Sequence, residues 1–330
     1  MRPFKYARAT DPDGAAGAVA ANPQAKFLAG GTNLLDLMKE DVERPNELVD
    51  LTRLKLTEIR ASGGGVLIGA LATNTDTANH PLIRRNYPLL TQAIVAGASG
   101  QLRNMATNGG NLLQRTRCQY FYDTALPCNK REPGTGCGAR EGLNRIHAIL
   151  GWSEMCVATY PGDMANALYA LDALVRVRGP EGRERTIPIN EFHRLPGDTP
   201  ERDTNLEHGE LIEAIELPRS TFAKNSYYLK VRDRASYAFA LVAVAAGLEL
   251  ERGTIRQARV VLGSVAHKPW RSREAEAALA GKPASEESFR QAAELTLQDA
   301  KPLAHNGYKV ELGKRAIVRA LMRASKLGGG

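Results

Sequence analysis

The sequence predicts an α+β chain of two or three domains, and three observations carry that reading. Its 330 residues exceed the usual size of one domain. Near the N-terminus, strand, turn, helix and strand signals follow one another. After Pro218 the pattern shifts to long apolar strand-like runs and then three helices. Composition agrees: 43% hydrophobic and 24% charged residues are ordinary globular values, which excludes a disordered chain, a collagen and a coiled coil.

The elements follow in order. Ala25–Ala29 is a short buried strand, Gly30-Gly31-Thr32-Asn33 a turn, and Leu34–Lys39 a helix with Thr32 or Asn33 available as N-cap. Glu47–Leu51 completes a βαβ unit. Val66–Ile68 is a strand, followed by helical pieces at Asn74–His80, Leu82–Arg85 and Leu89–Ala96. A second glycine turn is expected at Gly109-Gly110. Arg115–Arg145 is rich in Gly, Pro, Asn and Arg and lacks periodicity, so it reads as a long ordered insertion. Regular structure is expected to resume at Cys156. Met164–Leu174 is an apolar helix, and Leu174–Arg178, Arg185–Ile189 and Leu211–Leu217 are strands. Beyond Pro218, strands are expected at Ser226–Val231, Ala238–Leu250 and Gln257–Leu262. Helices are expected at Ser272–Ala280, Glu286–Ala300 and Tyr308–Ser325.

Several function classes are disfavoured. The longest apolar run, Ala238–Leu248, has 11 residues, against about 20 for a membrane span. No membrane insertion is expected. Met1–Thr10 carries Arg2, Lys5 and Arg8 with no apolar stretch behind them, unlike a secretory signal. The net charge of +8 is interspersed with acids rather than blocked, so no nucleic-acid partner is expected. The six histidines form no H-x-x-x-H pair, and no G-x-S-x-G elbow supports Ser/His/Asp chemistry.

Two segments echo each other. Gly30-Gly31-Thr32-Asn33-Leu34-Leu35 and Gly109-Gly110-Asn111-Leu112-Leu113 each place a glycine pair and an asparagine before two leucines. Glycine pairs permit positive φ and bare backbone N–H groups, which can converge on a phosphate. Together the two could hold both halves of a diphosphate. Ordinary tight turns are the plainer alternative for either alone. Gly134-Thr135-Gly136-Cys137-Gly138-Ala139 nearly fits a dinucleotide fingerprint, but no strand precedes it.

All four cysteines lie in one stretch, spaced Cys118-x9-Cys128-x8-Cys137-x18-Cys156. There is no C-x2-4-C pair of a structural zinc site and no ferredoxin-type C-x2-C-x2-C. The spacing leaves open a [4Fe-4S] cluster, a zinc site and free thiols, in that order. Arg115, Arg117, Lys130, Arg131, Arg140 and Arg145 are expected to offset the negative charge of four thiolates. Trp152 and Met155 could shield a cluster or be ordinary core.

These residues resemble the flavoprotein subunits of the molybdenum hydroxylases, the xanthine dehydrogenase and carbon monoxide dehydrogenase family. Phe27-Leu28-Ala29-Gly30-Gly31-Thr32-Asn33-Leu34 resembles the family's first FAD loop, and Thr107-Asn108-Gly109-Gly110-Asn111 its second. Tyr160-Pro161-Gly162-Asp163 before an apolar helix is similar to its Gly-Asp segment. Glu210-Leu211-Ile212, Ile215-Glu216-Leu217-Pro218 and Lys230 match in order and spacing. Most members lack the cysteines. The insertion resembles that of the bacterial periplasmic aldehyde oxidoreductases, whose flavoprotein subunit carries a [4Fe-4S] cluster there. The flavin subunit of 4-hydroxybenzoyl-CoA reductase also has a cluster insertion, with different spacing.

The resemblance implies an FAD-binding domain of the PCMH/VAO type over residues 1–218, with subdomains at about 1–55 and 56–218 and a cluster-binding insertion at about 115–156. A C-terminal α+β domain like that of carbon monoxide dehydrogenase flavoproteins would fill 219–330. Lys26, Phe27, Leu28, Ala29, Gly30, Gly31, Thr32, Asn33 and Leu34 would wrap the FAD diphosphate, completed by Thr107, Gly110 and Asn111. Asp163 would hydrogen-bond the flavin or ribityl region, although its position also suits a helix N-cap. Leu211 and Ile212 would pack on the adenine or ring system, or simply be core. Lys230 would lie near the isoalloxazine, where a cation favours reduced flavin, rather than being a solvated strand lysine. Cys118, Cys128, Cys137 and Cys156 would ligate the cluster. The implied function is electron transfer in a heterotrimeric molybdenum-dependent aldehyde oxidoreductase; the alternatives are the flavin subunit of a 4-hydroxybenzoyl-CoA reductase-like or other xanthine dehydrogenase family complex and, from another class, a zinc-stabilised binding subunit. Partners would be a molybdopterin-binding large subunit, a [2Fe-2S] small subunit and an external electron acceptor. The implied compartment is the periplasm, reached by co-export with a signal-bearing partner; the alternative is the cytoplasm.

Overall fold

The computed structural model describes residues 1–327 and contains three sheets. The first part runs β1 (Lys5–Arg8), α1 (Pro12–Ala20), β2 (Ala25–Leu28), α2 (Leu34–Lys39) and β3 (Glu47–Asp50). Its strands pair in parallel in the order β1-β3-β2. The βαβ reading therefore holds for β2-α2-β3. β1 and α1 are additions, although α1 carries a legible start signal. Pro12 occupies the first turn, and the Asp11 carboxylate accepts from the Gly14 N–H at 2.7 Å.

The second part is a five-stranded antiparallel sheet in the order β4-β5-β8-β6-β7, from β4 (Ile59–Ser62), β5 (Gly65–Gly69), β6 (Leu174–Arg178), β7 (Glu184–Pro188) and β8 (Leu211–Leu217). Between β5 and β6 lie α3 (Asn74–Asn79), α4 (Pro81–Asn86), α5 (Pro88–Ala96), α6 (Gly100–Met105), α7 (Asn108–Leu112), α8 (Gln119–Tyr122) and α9 (Asp163–Ala170). A one-turn helix, α10 (Ile189–Phe192), follows β7. The expected second glycine turn is not a turn: Gly109 and Gly110 lie inside α7, capped by Thr107. Regular structure resumes at Asp163 rather than Cys156; the segment between is held by scattered backbone bonds, Ala148 N–H to Val157 and Tyr160 N–H to Ala266, instead of a ladder.

The third part is a sheet in the order β12-β11-β10-β9, from β9 (Ser226–Val231), β10 (Val242–Glu251), β11 (Thr254–Gly263) and β12 (Trp270–Arg271). Three helices accompany it: α11 (Arg273–Leu279), α12 (Glu286–Leu297) and α13 (Tyr308–Leu327). Val242, Val244 and Ala246 pack among the residues of these helices, while Ala243 and Ala245 pack into the core that contains α9. Both faces of β10 are thus covered, which explains its continuous apolar run. β10 starts at Val242, not Ala238; Ala238 and Phe239 line a cavity instead. No helix among the described residues is long and apolar enough to cross a membrane.

Candidate cofactor sites

Two cavities meet at the glycine loop after β2. One, of about 440 Å³, is lined by residues 26–34, Thr107, Gly110, Arg115, Asp203, Leu211 and Ile212. The other, of about 320 Å³, is lined by Asn111, Asp163, Lys230, Tyr237 and Phe239. Thr32, Asn33, Gly110 and Gln114 line both, so the loop and α7 form the waist of one double cleft. Every FAD-contact residue expected from sequence lies on this cleft.

The two glycine pairs work differently. Gly31 has φ +73°, a conformation that L side chains rarely adopt. A Cβ on Gly30 would stand 1.8 Å from the Met105 carbonyl oxygen, so α6 can approach only a glycine there. In α7 the pair has helical conformation. Gly109 lets the turn rest on Ala70, whose Cβ would be 3.2 Å from an added methyl. Gly110 is exposed at the waist, and its N–H donates to the Thr107 hydroxyl at 3.3 Å.

The waist offers donors. The N–H groups of Gly31, Thr32 and Asn33 have no protein acceptor among the described residues. The Asn33 side chain accepts from the Arg115 N–H at 2.9 Å through Oδ1, while its buried Nδ2 is unpartnered. Asn33 therefore does not cap α2 through its side chain, as the sequence allowed. An unpaired buried donor beside three free amides fits an anionic diphosphate. Asn111 is committed elsewhere: its Nδ2 donates to Asn74 at 2.8 Å and its Oδ1 accepts from Gln114 at 3.0 Å. Asn74 donates in turn to Asn108, and Asn108 to Thr77. This buried amide ladder fixes α7 and was not anticipated.

At the far end of the second cavity, Asp163 is the first residue of α9, and Gly162 holds the N-cap position without a side-chain bond. The Asp163 carboxylate accepts from Lys230 Nζ at 2.7 Å and from the Tyr228 hydroxyl at 2.6 Å. Lys230 also donates to the Ala96 carbonyl at 3.2 Å, leaving one ammonium proton free. Its side chain is only 5% exposed, so the solvated-lysine alternative is excluded. Burial raises the Tyr228 hydroxyl well above its ordinary range, and the neighbouring Asp163 carboxylate adds to this. Tyr228 itself had no sequence signal beyond its place in a strand.

Leu211 and Ile212 are buried on β8, and both line the first cavity. Beside them, His193 Nε2 donates to the Leu112 carbonyl (2.9 Å), and its Nδ1 meets the Tyr169 hydroxyl. Burial pushes its pKa down to about 4, so it is neutral at pH 7.

The four cysteines converge on one void of about 10 Å³, together with Asn129, Lys130, Phe121 and Met155. All four are free thiols, and Cys118, Cys128 and Cys156 are buried. Burial raises the Cys118 and Cys156 thiols to about 12. The His147 ring nitrogen Nε2 lies 3.1 Å from Cys118 Sγ. Among the described residues, no group of three or more His, Cys, Asp or Glu could hold a single metal ion. Asn129 organises the loop: its Oδ1 accepts from the N–H groups of Gly134 and Gly136, and its Nδ2 donates to the Met155 carbonyl. From the C-terminal part, Asn306 Nδ2 donates to the carbonyls of His147 and Ala148. Buried Lys309 donates to those of Ile146, His147 and Ser264. Trp152 donates to the Lys301 carbonyl at 2.7 Å and does not line the void.

Most of the insertion's cations do not face the sulfurs. Arg115 pairs with Glu43 (2.6 Å) and Asp203 (2.9 Å), Arg117 with Asp36, Arg140 with Glu154 and Arg145 with Asp233. Arg131 donates to the carbonyls of Tyr120 and Phe121. Only Lys130 lines the void. It is 2% exposed and donates to Asp203 at 2.5 Å and the Pro200 carbonyl at 2.6 Å. Burial alone would raise Asp203, yet Lys130 and Arg115 hold it far below the usual carboxylate range. Asp203 also lines the first cavity, so it links that cavity to the void-lining Lys130.

The comparisons agree with this geometry. Residues 2–220 match the model of the FAD binding domain in molybdopterin dehydrogenase, and residues 227–324 the CO dehydrogenase flavoprotein C-terminal domain. The aldehyde oxidoreductase FAD-binding subunit PaoB of Escherichia coli is 50% identical, over 98% of this chain and 99% of that one. A putative xanthine dehydrogenase FAD-binding subunit of the same species is 28% identical, over 90% and 86%. Carbon monoxide dehydrogenase of Hydrogenophaga pseudoflava superposes with a TM-score of 0.76 at 26% identity, covering 98% and 97%. The enzyme of Oligotropha carboxidovorans gives 0.78 at 24%, covering 99% and 100%, a likeness of fold. The chain belongs to the FAD-binding subunits of the molybdenum hydroxylase family.

Proposed function

We propose that this FAD-binding subunit transfers electrons in a heterotrimeric molybdenum-dependent aldehyde oxidoreductase. It would work beside a molybdopterin-binding large subunit and a [2Fe-2S] small subunit and serve an external acceptor. The aldehyde assignment rests on the half-identity to an aldehyde oxidoreductase subunit over the full length. When bound, FAD supplies two-electron and one-electron exchange and a [4Fe-4S] cluster single-electron exchange.

The chain's own residues have holding and tuning roles. The free amides of Gly31, Thr32 and Asn33 and the Asn33 Nδ2 would hold the diphosphate at the waist. Leu211 and Ile212 would face the adenine side, and the free ammonium proton of Lys230 the ring side. Asp163 and Tyr228 fix that ammonium in place. The four cysteines would ligate the cluster. Zinc bonds of about 2.3 Å bring four sulfurs to within about 3.8 Å of one another, and these thiols lack such a grouping. Four sulfurs around one void match the ligand number of a [4Fe-4S] cluster. The observation that carries the reading is the convergence of four free thiols one layer of side chains from a cleft with unpaired anion donors. We place the complex in the periplasm by co-export with a signal-bearing partner.

The test is the visible spectrum of the anaerobically purified complex, with iron and zinc analysis. Flavin bands with a broad brown shoulder, and about four irons per FAD beyond the partner clusters, are expected. Flavin with zinc or with no extra iron would sink the cluster; an intact complex without flavin would sink the whole reading.

A further inference from the structure

We infer that Lys130 supplies the local positive charge that tunes the cysteine pocket, and that Asp203 sets how much of that charge the pocket feels. The inference rests on the cluster reading above. It starts from a count of cations: of the six basic side chains in the insertion, only Lys130 lines the void. Four of the others are paired with carboxylates, and Arg131 is used by backbone carbonyls. Lys130 is nearly sealed from water. Charges so placed are weakly screened, so its field reaches the sulfurs at more strength than that of a surface arginine.

Asp203 opposes it. Its carboxylate takes one proton donor from Lys130 and one from Arg115. Arg115 continues to Glu43, and Glu43 to Lys26 at 2.9 Å, on β2, which leads into the first FAD loop. Five charges of alternating sign thus run from the cysteine void to the flavin cleft. A site that gains an electron is favoured by nearby positive charge and disfavoured by negative charge. Removing Lys130's charge must make the pocket harder to reduce; removing Asp203's must make it easier.

The experiment is an anaerobic redox titration of the whole complex, reading the cluster by electron paramagnetic resonance and the flavin by absorbance, with iron and FAD counted per chain. Lys130→Gln is expected to lower the cluster midpoint potential and Asp203→Asn to raise it. Lys130→Arg should stay near the parent value, and the flavin should move less than the cluster in each. If Lys130→Gln loses iron while Lys130→Arg keeps it, the charge is needed to hold the cluster, which also supports the inference. Equal behaviour of Lys130→Gln and Lys130→Arg, whether unchanged or both without iron, overturns it. So do shifts of the same sign in Lys130→Gln and Asp203→Asn, or loss of iron from Asp203→Asn. Absence of the extra iron from the parent complex would instead overturn the cluster reading, before any variant is made.

Discussion

The flavin cleft and the cysteine pocket lie side by side but are prepared in opposite ways. The cleft is open, with about 440 and 320 Å³ of space and polar donors that no protein group satisfies. The pocket is closed to about 10 Å³, its thiols are buried, and burial holds two of them protonated up to about 12. The fold alone completes the first site. The second would become the proposed ligand set only if its thiol protons were displaced. A fold can preorganise amides, which carry their donors permanently, but cannot preorganise buried thiolates without a positive partner.

The largest expected effect would separate the two sites completely. Gly30→Ala puts a methyl 1.8 Å from the Met105 carbonyl; FAD content should fall at least tenfold while iron stays. Cys128→Ser should do the converse, removing the chain's iron and leaving FAD. Loss of both groups from both variants would mean that the sites are one cooperative unit and break the comparison. Next in size, Lys230→Met strands the Asp163 carboxylate, which is 9% exposed, with Tyr228 alone. About 3–5 kcal/mol of stability should be lost in urea unfolding, and a cost below 1 kcal/mol would show that water reaches Asp163.

The smallest effect concerns pH. His193, on the cleft, stays neutral until about pH 4, whereas the unfolded chain takes up that proton near 6.5. The unfolded state therefore binds more protons across this window, and stability falls as pH drops from 6.5 to 4. The slope is about 1.4 kcal/mol per pH unit from this residue. His193→Gln should flatten the measured slope by that amount; an unchanged slope would assign the acid sensitivity elsewhere.

Sequence reading reached the cleft because its demands fall on residue types with few substitutes. Gly30 is required by a backbone approach and Gly31 by positive φ, and both follow a legible strand. The same logic misread Gly109-Gly110, since a glycine pair that packs a helix against Ala70 looks in one dimension like one that makes a turn. Asp163 and Lys230 were found, but not their pairing, nor Tyr228, which enters from the strand position two before Lys230. The cysteines announced themselves by clustering. What surrounds them did not: Asp203, Asn306 and Lys309 reach the insertion from distant segments, and no local pattern marks a side chain whose partner is a remote cation or carbonyl.

That last contact has a consequence in time. Asn306 and Lys309 hold the carbonyls at 146–148, yet Asn306 follows Cys156 by 150 residues. At about 5–20 residues per second of synthesis, the cysteines leave the ribosome on the order of ten seconds before the residues that close their loop. The fold thus acts as a clock: the bonds to the carbonyls at 146–148, beside Cys118 through His147, can form only after the start of α13 has been made.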